Sequence, residues 1–387
     1  MQYTKEYDNE YIASTYGRFP VEIVKGKGEI AIDSEGKEYI DLSSGIAVNT
    51  FGHADDEWIK AVSDQISLYA HTSNLYYTAP CAKLAKMLCE RTGMSKVFFS
   101  NSGAEANECA IKAAREYAAT TKGAEYSTII TLVNSFHGRT ITTLAATGQE
   151  TFHQNFLPLT EGFVYARAND IDDIKRLVSE HKCAAIMMEL VQGEGGVNPL
   201  DKDFVSEVSK IAKENDILTI LDEVQTGNGR TGQLYAYMNY DITPDIVTTA
   251  KGLGGGLPIG ATLLGDKVKN VFKPGMHGST FGGNPVCCAA AISVLKRIDD
   301  NLLADVRKKS EYIINSLEGA EGILGISGMG LMLGLTTKKS AREVIDGCRE
   351  NGVLVISAKD KVRLLPPLNI SFENLEKALK VIKQVCE

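Results

Sequence analysis

A lysine, an aspartate and a run of small residues stand where an α/β chain would place a ligand. Lys251 follows Asp245-Ile246-Val247-Thr248-Thr249-Ala250 and opens onto Gly252-Leu253-Gly254-Gly255-Gly256. At the end of a buried strand, a lysine entering such a loop is partly desolvated. Desolvation favours the neutral amine, which attacks carbonyl carbon. A surface lysine beside a flexible loop would carry the same local pattern. Asp222 directly follows Leu218-Thr219-Ile220-Leu221. A carboxylate there either caps a turn or faces a ligand. Ser102-Gly103-Ala104 lies between Val97-Phe98-Phe99-Ser100 and a helical pattern. Small residues at a helix start leave backbone N–H groups free for a phosphate, although ordinary helix starts look the same. The glycine run after Lys251 is not a P-loop: its spacing is wrong, and it follows the lysine instead of preceding it.

Taken together, the three features match the needs of pyridoxal phosphate. The lysine forms a Schiff base, the carboxylate keeps the pyridine nitrogen protonated, and the N–H groups hold the phosphate.

The elements that must position these residues alternate along the chain. Strands are expected at 97–100, 128–133, near Phe163, at 184–188, 218–221, 245–249 and 261–264. Helices are expected from Ser102, after Arg139, at 172–180 and at 202–214. Ser102 with Glu105 three residues on is a capping-box pattern. This alternation predicts a mainly parallel sheet covered on both faces, with ligands at the carboxyl ends of its strands. The tail differs. Helices at 284–298, 302–317, 341–350 and 373–385 surround a strand at 325–335 and paired strands at 353–370. A hairpin over 28–41, turning at Ser34-Glu35-Gly36-Lys37, is expected to join this smaller α+β unit. The expected division is residues 1–50 with the small domain, 51–283 as the large α/β domain, and 284–387 as the small α+β domain.

Composition narrows the classes. The 387 residues are 44% hydrophobic and 23% charged, values of a globular chain. The net charge of −8 disfavours a nucleic-acid or anionic-membrane partner. No run approaches the length of a membrane span, and the opening residues lack the apolar stretch of a signal peptide. The eight cysteines form no Cys-x-x-Cys pair, so no metal site is expected. Free thiols point to a reducing compartment, hence the cytoplasm.

Six ordered segments carry a resemblance that covers almost the whole chain. They are Asn101-Ser102-Gly103-Ala104-Glu105-Ala106-Asn107-Glu108, Ser135-Phe136-His137-Gly138-Arg139-Thr140, Gln192-Gly193-Glu194-Gly195-Gly196, Leu221-Asp222-Glu223-Val224-Gln225-Thr226-Gly227, Ala250-Lys251-Gly252, and His277-Gly278-Ser279-Thr280-Phe281-Gly282-Gly283-Asn284-Pro285. This set resembles the class III, fold-type I pyridoxal-phosphate aminotransferases.

The resemblance implies that Lys251 bonds to the cofactor and shuttles the proton, and that Asp222 pairs with the pyridine nitrogen. It implies Gln225 at the ring hydroxyl, Val224 and Phe136 on the two ring faces, and Gly103 and Ala104 at the phosphate. Thr280 would reach that phosphate from a neighbouring subunit, making a homodimer with shared sites. Arg139 would take a substrate carboxylate, with Ser279 and Tyr16 on the substrate side. Glu194 and Arg363 would form a switchable salt bridge. His137 is read as structural, since the lysine already supplies proton transfer.

Thr15-Tyr16-Gly17-Arg18-Phe19-Pro20-Val21 and Ser44-Gly45-Ile46-Ala47-Val48-Asn49 resemble members acting on N-acetylornithine, with 2-oxoglutarate as acceptor. Ornithine, succinylornithine and 4-aminobutyrate remain open as substrates. A same-fold aminomutase or a non-catalytic binding protein are further alternatives. Two segments depart from the family pattern: Gly52-His53-Ala54-Asp55-Asp56 and Glu189-Leu190.

Overall fold

The computed structural model describes residues 2–387. Its centre is a seven-stranded sheet. In spatial order the strands are Lys96–Ser100, Gly260–Leu264, Ile246–Thr249, Leu218–Asp222, Cys183–Met188, Thr128–Leu132 and Phe163–Ala166. The last five run parallel, whereas Gly260–Leu264 is antiparallel to both its neighbours. Every residue of Cys183–Met188, Leu218–Asp222, Ile246–Thr249 and Gly260–Leu264 is buried. These strands are covered on both faces, which is why they are mostly apolar without a regular alternation, threonine being the main polar residue among them.

Helix Gly103–Thr121 begins as its sequence predicts. The Ser102 hydroxyl accepts from the N–H of Glu105 at 3.2 Å, and the Glu105 carboxylate accepts from the N–H of Asn101 at 2.9 Å. The glutamate therefore reaches one residue beyond the usual capping box. Two helices not legible in the alternation, Asp56–Leu68 and Ala79–Thr92, pack against Pro285–Arg297.

A departure from the family pattern finds its use here. Asp55 caps the first of these helices, accepting from the N–H of Trp58 at 2.9 Å. It also pairs with Arg297 at 2.8 Å, whose guanidinium lies 3.9 Å from the Phe51 ring centre.

Pro285–Arg297 was expected to open the small domain. Its buried face instead lies in the larger core, through Cys288, Ala291, Ile292, Val294 and Leu295. The smaller core draws on Val306, Ile313 and Leu317 of helix Asp300–Leu317, and on Leu42 from the N-terminal part. We therefore propose a division near Asp299. The expected hairpin forms from Ile30–Asp33 and Glu38–Asp41. Its second strand pairs in parallel with Val353–Leu354.

The single strand expected over 325–335 is two strands, Ile323–Met329 and Met332–Thr337, folded into an antiparallel hairpin. Gly330, at φ +59°, supplies the turn. An apolar run hides such a turn, because glycine interrupts no hydrophobic pattern. The region expected as paired strands to 370 stops earlier. Ile356–Ala358 pairs with Lys361–Leu364, and Pro366 and Pro367 cannot extend the ladder.

Among the described residues, no helix is long and apolar enough to cross a membrane.

Candidate active site

A cavity of about 450 Å³ opens at the carboxyl ends of the parallel strands. Gly103, Ala104, Phe136, Arg139, Asp222, Val224, Gln225 and Lys251 all line it. Its size suits a small cofactor with a substrate beside it.

Lys251 sits one residue past the strand Ile246–Thr249 and its following Ala250, at φ +43°. A non-glycine residue in that region costs on the order of 1 kcal/mol and persists only where its surroundings hold it. No hydrogen bond or ion pair with the described residues holds its Nζ. Burial pushes its pKa below the ordinary lysine value. Glu194 works against that shift, Arg363 adds to it, and Asp222 and Glu189 oppose it more weakly. Burial thus favours the uncharged amine, the form that attacks carbon.

Asp222 ends its strand almost fully buried. One carboxylate oxygen accepts from the N–H of Val224 at 3.0 Å. The other accepts from Asn107 Nδ2 and from His137 Nδ1, both at 2.8 Å. Asn107 is in turn fixed by Thr248, which donates to its Oδ1 at 2.6 Å. His137 therefore holds the carboxylate in place, and its buried Nε2 has no partner among the described residues. Asn107 had no assigned role in the sequence reading. Its signal was present: a buried amide on a helix face otherwise made of Ala106, Ala110, Ala113 and Ala114 needs partners.

The N–H groups of Gly103 and Ala104 have no acceptor among the described residues, as befits the first turn of a helix. A Cβ on Gly103 would lie 2.7 Å from a methyl of Val224. Only glycine lets the helix start come this close to the ring-facing valine. Phe136 packs edge-on against Phe152, and the guanidinium of Arg139 lies 4.0 Å from the Phe152 ring centre. Arg139 is exposed at the cavity mouth and has no carboxylate partner among the described residues.

Glu189, which the sequence reading placed outside the chemistry, also lines the cavity. Its two oxygens accept from the N–H groups of Phe136 (2.8 Å) and Gly193 (3.1 Å). It ties the loop bearing Phe136 to the loop bearing Glu194. Burial pushes its carboxyl up to about 7.

Glu194 and Arg363 meet beside the cavity at 2.6 Å, and Arg363 also donates to Gln225 at 2.9 Å. Burial opposes ionisation of Glu194. The Arg363 charge and hydrogen bond outweigh it, with help from Lys251, and hold the carboxyl below its ordinary range.

Three expected residues stand apart. Ser279 lies at the edge of the site, its Oγ 3.2 Å from Asn101 Nδ2. Thr280 is exposed and does not line the cavity of its own chain. Tyr16 is not brought to the site: it is 74% exposed, with the Arg18 guanidinium over its ring at 5.5 Å.

The residues present fit pyridoxal phosphate: an unpaired amine, a buried fixed carboxylate and two free N–H groups face one cavity. Comparisons with known proteins agree. The acetylornithine aminotransferase of Haemophilus ducreyi is 49% identical over 383 residues, covering 98% of each chain. Among solved structures, an ornithine aminotransferase from Toxoplasma gondii superposes with a TM-score of 0.95 at 31% identity, covering 100% of this chain and 94% of that one. An N-acetylornithine aminotransferase from Stenotrophomonas maltophilia superposes at 0.85 with 34% identity, covering 98% and 97%. The family model described as "Aminotransferase class-III" matches residues 11–386. With that match spanning the six motifs and the cavity they line, the chain belongs to the class III aminotransferase family.

Proposed function

We propose that the protein passes the terminal amine of N2-acetyl-L-ornithine to 2-oxoglutarate, giving N-acetylglutamate 5-semialdehyde and glutamate, a step of arginine biosynthesis in the cytoplasm. One observation carries the reading: the unpaired Lys251 amine shares a cavity with the fixed Asp222 carboxylate and with Arg139 at its mouth. Bound pyridoxal phosphate supplies an electron sink for the pair left when a substrate proton departs. The residues do the rest. Gly103 and Ala104 would hold the phosphate through N–H groups. Asp222 would keep the ring nitrogen protonated, Val224 and Phe136 would confine the ring, and Gln225 would serve its hydroxyl. Lys251 would anchor the cofactor and move the substrate proton. Arg139 takes the carboxylate remote from the reacting amine, with Ser279 beside it. Tyr16 is left out of this set.

The second reading is free ornithine as donor, favoured by the higher TM-score of the Toxoplasma structure. Backbone similarity reports the fold, which the whole family shares. Substrate choice lies in side chains, so identity weighs more, and curated relatives named acetylornithine aminotransferase reach 42–49%. A donor panel of acetylated, succinylated and free ornithine and 4-aminobutyrate decides it. The acetylated donor should give the highest kcat/KM. Preference for free ornithine would replace the reading, turnover without 2-oxoglutarate would indicate a mutase, and no turnover with any donor would indicate a binding protein.

We also propose a homodimer in which Thr280 completes the partner's phosphate site. Leu68, Leu75, Tyr76, Tyr77 and Phe281 are all more than half exposed. They gather near Thr280, because Asn74 donates to the carbonyls of Ser279 and Gly282, both at 2.9 Å. Apolar surface of this kind marks an interface. Sedimentation should give twice the chain mass, and a monomer would remove the shared site.

The Glu194–Arg363 pair answers a problem of two substrates. N-Acetylornithine presents no carboxylate next to its reacting amine, whereas glutamate does. An open Arg363 would be an unpaired, desolvated charge with the first donor. Glu194 covers it then and swings aside for the second. Glu194→Ala should raise the single-turnover rate with glutamate relative to N-acetylornithine by roughly tenfold, the effect of only ~1.4 kcal/mol. An unchanged ratio would make the pair a static bridge.

A further inference from the structure

Arg230 is only 3% exposed, yet no carboxylate among the described residues pairs with it. Burial alone pushes its pKa down to about 9. A desolvated cation without a counter-charge is costly and persists where its hydrogen bonds are needed. Here they are two backbone carbonyls: Nη1 donates to Leu331 at 3.0 Å and to Pro366.

Those two carbonyls belong to one place. The strands Met332–Thr337 and Lys361–Leu364 pair antiparallel, with Gly334 opposite Arg363 and Leu333 opposite Leu364. Continued by two residues, that register sets Leu331 opposite Pro366. Pro366 has no N–H, so the ladder cannot continue. Its end leaves carbonyl groups open in a buried setting, and one guanidinium nitrogen takes both. The N–H of Leu331 donates back to the carbonyl of Arg230 at 2.9 Å. At Gly330 a Cβ would lie 2.4 Å from that same oxygen, so the hairpin turn is pressed directly against the arginine backbone.

The other side of the Arg230 loop holds the backbone just before the lysine. Asn228 Nδ2 donates to Thr249 Oγ1 at 3.0 Å and to the carbonyl of Ala250 at 3.2 Å, the residue before Lys251. Thr226 donates to Glu223, next to Asp222. The segment Thr226–Arg230 thus spans from the strand ends that carry Asp222 and Lys251 to the end of the strand pair that carries Arg363.

We propose that Arg230 is a positioning residue for substrate choice. By clamping the open end of the two-strand ladder, it sets the distance from Arg363 to Lys251. It thereby sets how well a carboxylate next to the reacting carbon is held. This rests on the reading of Arg363 as the group that receives that carboxylate. Arg139, on a separate loop, is untouched by the clamp.

The test compares three variants of the holoenzyme in single-turnover reactions with glutamate and with N-acetylornithine, alongside melting temperatures. Arg230→Met fills the space but leaves both carbonyls unpaired. It should slow the glutamate half-reaction at least tenfold more than the N-acetylornithine one, through weaker saturation by glutamate. Arg230→Lys can reach a carbonyl and should recover much of the loss, leaving about a threefold selective deficit. If Arg230→Met does not fold, the lysine variant carries the test alone. Equal slowing of both half-reactions, or none, would reduce Arg230 to a general structural residue and overturn the proposal. Arg363→Ala separates the two readings. If it depresses glutamate selectively while the Arg230 variants do not, only the clamp fails. If it leaves glutamate unaffected, the reading of Arg363 fails and takes the clamp with it.

Discussion

Lys251→Ala should reduce turnover by about 10⁴-fold or more, because one side chain supplies both the covalent attachment and the proton transfer. The geometry says the loss is chemical, not architectural. No hydrogen bond or ion pair among the described residues depends on Nζ. Removing a partly buried amine relieves a desolvation cost that already depresses its pKa. The melting temperature should therefore hold or rise. The φ of +43° is no better for alanine than for lysine, so the backbone strain is unchanged. Cofactor should still bind through the N–H groups of Gly103 and Ala104 and through Asp222, and equilibrium dialysis would show this independently of rate. Turnover within tenfold of the parent would refute the lysine's role.

Asp222→Asn should lower kcat by roughly 10²–10³-fold, the scale for losing one preorganised electrostatic partner, with KM less affected. A neutral amide no longer favours the proton on a ring nitrogen. The substitution also has a structural cost that follows from the hydrogen bonds. One oxygen accepts from Val224 N–H, and the other from Asn107 Nδ2, which can only donate. Whichever way the amide turns, its NH₂ meets a donor. About 1–3 kcal/mol of stability should be lost for that mispairing, read as a lower midpoint in denaturant. A parent-like kcat would return Asp222 to the role of a loop cap.

Lys251 and Asp222 were legible because each is a charged residue at or just past the end of a buried strand. Gly103 and Ala104 were legible because a strand, a capping serine and a helix pattern follow one another without a gap. The contacts between distant segments were not. Glu194 and Arg363 lie 169 residues apart and meet only through sheet packing; family resemblance suggested the pair, whereas local patterning did not. Asn107 hid inside an alanine-rich helix whose period announces burial but not hydrogen bonding. Arg230 reads as a surface charge until the ladder end it satisfies is known. Strand direction was also beyond reach. Gly260–Leu264 is as fully buried as the parallel strands of the same sheet, and a strand buried on both faces has no direction to read.

The parallel pairing of Glu38–Asp41 with Val353–Leu354 has a consequence for how the chain is made. Its partners, Ile40 and Val353, are 313 positions apart. At the roughly 5–20 residues per second of synthesis, about 15–60 s pass between the emergence of the two strands. Throughout that interval the N-terminal hairpin has one unpaired edge, and Leu42 lacks the core that will enclose it. The central sheet has all its strands once Leu264 is out, so it can collapse while the hairpin waits. The shortness of that edge, four residues, limits what it can offer to neighbouring chains on the same message.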